Sequence, residues 1–274
     1  MKVYLSCGME GVAGVVDSKQ CSGPGAEYDQ ARELLLGEVN AAIEGALAGG
    51  ATSIVVNDAH GDMNNLDPAR LAGEATYISG RGKPHSIMEG LTEDVGVVFF
   101  VAYHGSAVSP GVLAHTYNPD AIDEVRVMGR VSGEAGINTI VAAAHDIPVG
   151  LATGDQYVHS EFLPLCPAAE YVEVKRSITR TSAENLHPTV ARNQIRAAAE
   201  RAVLNTLRGR PWPRTITEPA DLSVELRTRD LAERALKAVA IPAQLSIKSV
   251  RVRAPRMDVF QAFLDIVAET RRVD

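Results

Sequence analysis

Cysteine is scarce in this 274-residue chain: Cys7, Cys21 and Cys166 are the only three, and no two form a Cys-x-x-Cys pair. An odd count in a chain long enough to bury its own core excludes a disulfide scaffold and predicts free thiols in a reducing cytoplasm. Basic charge is also short, with 27 Lys and Arg against 34 Asp and Glu and a formal net charge of −7. That balance argues against a nucleic-acid partner and against an anionic membrane surface, both of which are met with a basic face. No run has the character of a membrane span. The uncharged stretch from Val95 to Pro119 turns to His, Gly, Ser and Pro after Tyr103, and reads as a buried strand followed by a loop. The N-terminal residues meet Glu10 before any apolar h-region develops, unlike a signal peptide. There is no His-Glu-x-x-His, no Gly-x-Ser-x-Gly elbow, no Walker loop and no Gly-x-Gly-x-x-Gly after a strand, so serine-hydrolase and nucleotide readings lose their usual support. A small-molecule or peptide substrate remains.

What is present alternates strand and helix. "KVYLSC" is a short β-prone run, and a Gly-rich loop follows it to Gly25. "EYDQARELLLGEVNAAIEGALAGG" then places Ala31, Leu35, Val39, Ala42 and Ala46 at helical spacing and stops on Gly49-Gly50. "TSIVVND", "VGVVFFVAY" and "IPVGLAT" read as strands, apolar on both faces, as in a parallel sheet covered on two sides. "GRVSGEAGINTIVAAAHD" reads as a small-residue helix, and "HPTVARNQIRAAAERAVLNTL" as an N-capped one with Pro188 in its first turn. The expected fold is α/β, layered around a mostly parallel sheet, with the active site at the carboxyl ends of the strands. Prolines 211, 213 and 219 mark a change of pattern, so residues 1–210 form the main α/β region and 211–274 a C-terminal β–α–β–α region.

Three polar residues share one topological position. Glu10, His60 and His104 each follow a predicted strand, and all are of types that bind zinc. A lone histidine is more often a hydrogen-bonded core or loop residue than a ligand, so the signal is their coincidence. Glu134 is a fourth candidate, because the expected helix puts it in line with Val131, Ile137 and Val141, an acid within an apolar stripe. A carboxylate facing a core must be paired or bound to a metal, or its desolvation costs several kcal/mol. The plainer reading pairs it with Arg126 or Arg130 at the surface. His115, after a Ser-Pro-Gly turn, returns toward the same crevice on weaker evidence. His85, His145, His159 and His187 have no such placement and read as structural or exposed.

Taken together, "SCGMEGVAGV", "VVNDAHGDMNNL", "ISGRGKPHSIMEGL", "AYHGSAVSPGVLAHT" and "GEAGINTIVAAAHDIPV" resemble, in order and spacing, the D-aminopeptidase family of di-zinc metallopeptidases. The likeness is close to about Asp155 and weakens in the last third. It implies an α/β fold, two zinc ions per subunit, a ring-shaped homo-oligomer that is a decamer in the type member, and removal of N-terminal D-amino acids from short peptides. By the same resemblance, Glu10, His60, His104 and Glu134 match the family's zinc ligands, and His115 matches a histidine that acts in catalysis.

One position departs from the pattern. The family reads Ser-x-Asp-x-Glu-Gly, with the aspartate bridging both metals, whereas this chain keeps Ser6, Glu10 and Gly11 but has Gly8. Two divalent cations ~4 Å apart at an effective dielectric of about 20 repel by roughly 17 kcal/mol, and a bridging anion is a main offset. Cys7 points to the opposite strand face and is a poor replacement, while Asp58 and Asp155 lie near the right strand ends. The expectation is one zinc held, with hydrolysis impaired. Two other readings stay open: a metal-deficient paralogue that binds small peptides or D-amino acids, and a ring protein whose crevice is vestigial.

Overall fold

A computed structural model describes residues 1–271. In chain order the first elements are β1 (Lys2–Cys7), α1 (Ala26–Ala48), β2 (Ser53–Asp58), β3 (Thr76–Ile78), β4 (Val95–Val101), β5 (Ile122–Val127) and β6 (Arg130–Val131). Next come α2 (Glu134–Ala144), β7 (Val149–Gly154), α3 (Gln156–Phe162), β8 (Glu170–Glu173), β9 (Lys175–Thr179), β10 (Ser182–Asn185) and α4 (Pro188–Leu207). The last are β11 (Ala220–Leu226), α5 (Arg229–Ala238), β12 (Ala243–Ser246), β13 (Ser249–Ala254) and α6 (Arg256–Thr270).

Six strands form one sheet in the order β3-β2-β1-β4-β7-β8, parallel throughout, as the apolar runs predict. Side chains alternate across it. Val3, Leu5, Val97 and Phe99 pack on one face under α1 and α4, while Tyr4, Val98 and Phe100 face the other core with α2 and α6. Both faces being buried explains why these strands lack a polar alternate position.

The second core is roofed by an antiparallel sheet, β12-β13-β11-β5-β6. Its strands come from residues 122–131 and from the C-terminal region, so the segment after residue 210 pairs directly with the main region. Two expectations are corrected here. The helix expected over 129–146 begins only at Glu134, because Met128 and Gly129 both take positive φ and close a two-residue hairpin that pairs Arg126 with Val131 and Val127 with Arg130. The C-terminal pass is β–α–β–β–α: a turn at Ile247, φ 50°, splits one expected strand into β12 and β13. No helix among the described residues is long and apolar enough to cross a membrane.

Candidate metal centre

The strand order sets the location. From β1 the chain builds outward to β2 and β3, then crosses back to β4 and proceeds to β7 and β8 on the other side. At such a reversal the loops leaving the carboxyl ends of the two central strands part, and a crevice opens. Glu10 lies just beyond β1, His60 just beyond β2 and His104 just beyond β4. At the end of β4, Ala102 takes φ 61°, and its N–H leaves the ladder for Thr153 Oγ1, turning the chain so that His104 enters the crevice. The resulting cleft holds about 590 Å³ and is lined by Gly8, Glu10, His60, His104, His115 and Glu134. Residues of α6, Leu264 and Val267 among them, form the wall opposite.

The histidines are oriented by a shared device. His104 Nδ1 lies 2.9 Å from the Gly105 carbonyl, His115 Nδ1 2.8 Å from that of Leu113, and His60 Nε2 2.6 Å from that of Cys21. Each carbonyl accepts one ring N–H, fixing the tautomer and turning the other nitrogen toward a carboxylate. His60 Nδ1 is 3.1 Å from Glu10 Oε2, and the Nε2 atoms of His104 and His115 are each 3.9 Å from Glu134. The His104 and His115 rings are stacked.

This much charge in a buried space shifts the groups apart. Burial pushes Glu10 upward, but His60, His104 and His115 together outweigh it and hold the carboxyl well below its usual range. Burial opposes protonation of His60, yet the Glu10 contact lifts it to about 9. Burial and then the neighbouring His115 push His104 down, whereas for His115 the attraction of Glu10 and Glu134 overcomes burial and raises it.

The structure therefore gathers all five sequence candidates, but for Glu134 the reason differs. As the first residue of α2 it is not aligned with Val131, and its Oε1 accepts the Tyr117 N–H at 2.9 Å at the helix's positive end. Arg126 pairs with Glu124 instead. The two nearby aspartates are committed elsewhere: Asp58 accepts from Asn65, Leu66 and Tyr77, and Asp155 caps α3 and accepts from Ser177. Cys7 donates to the Asn57 carbonyl within the core. Gly8 presents only backbone to the cleft, and a Cβ there would come 2.7 Å from the Ala102 carbonyl oxygen.

Three contributors escape sequence reasoning. Buried Lys175 donates Nζ to the carbonyls of Glu10, Val12 and Val15, locking the loop that carries Glu10. Glu161 accepts from the Ser106 N–H and hydroxyl, tying the His104 loop to α3. Cys21 joins Glu10 and His60 in one cluster of donor atoms, all within 4.8 Å of one another, and Glu10, His104 and His115 form a second. Carboxylate, imidazole and thiol atoms this close, with their second nitrogens anchored, fit a zinc ion.

The chain is similar to known proteins along most of its length. The model of the D-aminopeptidase family matches residues 1–266. A D-aminopeptidase of Bacillus subtilis (strain 168) is 31% identical over 265 residues, 96% of each chain. A solved structure, described as the zinc-dependent D-aminopeptidase DppA from Bacillus subtilis, a self-compartmentalizing protease, superposes with a TM-score of 0.88 at 29% identity and covers 100% of both chains.

Proposed function

Since the chain belongs to the D-aminopeptidase family, we propose that it is a zinc-dependent aminopeptidase that removes N-terminal D-amino acids from short peptides. The observation that carries the reading is the convergence of Glu10, His60, His104, His115 and Glu134 on one cleft, each histidine with one nitrogen held by a backbone carbonyl. Glu10, His60, His104 and Glu134 would hold the metal. Zinc supplies Lewis-acid polarisation of a carbonyl and acidifies water. Glu10 and Glu134 bring the negative charge that balances the cation. His115, its Nδ1–H engaged by Leu113, holds or releases a proton at Nε2, which faces Glu134 and the cleft. Residues of α6 wall the cleft, and a volume of about 590 Å³ suits a short peptide.

The working form in this reading is a cytoplasmic, ring-shaped homo-oligomer, a decamer, with about one zinc tightly held per subunit because Gly8 offers no bridging ligand. Chelator-treated protein should lose hydrolysis of D-Ala dipeptide amides and regain it with zinc. Turnover that survives chelation would sink the reading. Gly8 also favours a second one, a metal-poor paralogue that binds such peptides without cleaving them. Calorimetric binding with no turnover in excess zinc would select it.

A further inference from the structure

We infer that Cys21 is a metal ligand in this protein, its thiolate completing a Glu10–His60–Cys21 site at the edge of the cleft. The inference rests on the metallopeptidase reading and adds a donor to that centre on its Glu10–His60 side. Donor atoms of these three residues lie within 4.8 Å of one another, the spread expected of ligands around one small cation. Glu10 belongs to this triad and also to the one with His104 and His115, so its carboxylate links the two.

The loop geometry supports the assignment. Cys21 ends the short 3-10 helix Ser18–Gln20, which Asp17 and Gln20 pin by a reciprocal capping box. The Cys21 carbonyl accepts from His60 Nε2 at 2.6 Å, so the residue already fixes the imidazole whose Nδ1 faces Glu10. One residue thus supplies the carbonyl that anchors His60 and a sulfur within the same cluster of donor atoms. The other thiols are engaged in the interior, Cys7 on the Asn57 carbonyl and Cys166 beside Thr139. Binding converts S–H plus M²⁺ to S–M plus a proton released to water, with no redox change. A thiolate beside imidazole and carboxylate favours zinc or cobalt over magnesium, calcium or manganese.

The test is a cobalt titration of the metal-free full-length protein, reading the visible d–d bands for binding and the near-ultraviolet thiolate-to-cobalt charge-transfer band for sulfur ligation. The parent should show both. Cys21→Ser should lose the charge-transfer band, keep visible bands and bind zinc about 10- to 100-fold more weakly in a chelator competition, the scale at which losing even an outer partner of a metal is felt. Cys21→Asp, which returns an anionic ligand, should restore affinity without the band, and circular dichroism checks that both variants fold. Visible bands in the parent with no charge-transfer band would overturn the assignment and leave the metal centre standing. A charge-transfer band that persists in folded Cys21→Ser would also overturn it. No cobalt uptake at all would overturn this inference and the metallopeptidase reading together.

Discussion

The imidazoles of His104 and His115 stack face to face, ring centroids 4.3 Å apart and 16° from parallel. Two rings so placed in a buried site resist carrying charge together, and their surroundings divide the roles. Burial and the neighbouring ring hold His104 neutral, with a lone pair at Nε2, while the carboxylates Glu10 and Glu134 raise His115 against its burial. One ring is suited to a metal and the other to a proton.

His115→Ala should therefore lower kcat by about 10²–10⁴-fold, the usual worth of general acid–base assistance, with zinc content unchanged. His104→Ala should lower zinc content itself. Elemental analysis beside steady-state kinetics separates the two, and metal loss in His115→Ala would make that residue a ligand.

Lys175→Met should loosen the loop that carries Glu10. Three backbone carbonyls, of Glu10, Val12 and Val15, lose their donor in a buried place. We expect about 2–4 kcal/mol less stability by urea denaturation, together with weaker zinc binding. A change below about 0.5 kcal/mol would mean that these carbonyls find other partners.

Glu161 gives stability a pH dependence. Burial raises its carboxyl to about 7 despite the Ser106 hydrogen bonds, against an ordinary value of 4.5. Between these pH values the folded state keeps a proton that the unfolded state has released, so stability is greatest below pH 4.5 as far as this group is concerned and falls as pH rises through about 7. The loss attributable to it is roughly 3 kcal/mol at most. Glu161→Gln should flatten that slope in urea midpoints compared at pH 5 and pH 8; an unchanged slope would assign it to other groups.

Gly8→Asp should raise zinc from about one toward two ions per subunit, and raise activity, if only the bridge is missing. The variant also carries a cost. Its Cβ meets the Ala102 carbonyl oxygen at 2.7 Å, so β1 and β4 must part slightly, at about 1–3 kcal/mol. Gly8→Ala isolates that cost. An aspartate variant with unchanged metal content would show that the local backbone, and not the carboxylate alone, departs from a two-metal arrangement.

The parallel sheet was legible because its central strands are short β-branched runs buried on both faces, a local pattern. Glu10, His60 and His104 were legible because strand ends in such a sheet converge. The antiparallel roof was not, since β5 pairs with β11 nearly a hundred residues later and neither strand announces its partner. Glu134 was found through a helix register that the Met128–Gly129 hairpin interrupts. Lys175 and Cys21 left no trace because their partners are backbone carbonyls or lie in a loop without periodicity, and such contacts exist only once the chain has folded.

The cleft joins early and late parts of the chain. The donors from Glu10 to Glu134 precede the cleft-lining residues of α6 by a long stretch of sequence, and that helix packs against β11 and β13, of which β11 pairs with both β13 and β5. On a growing polypeptide the ligands emerge first and the surface that faces them last. The cleft acquires its chemistry before it acquires its shape.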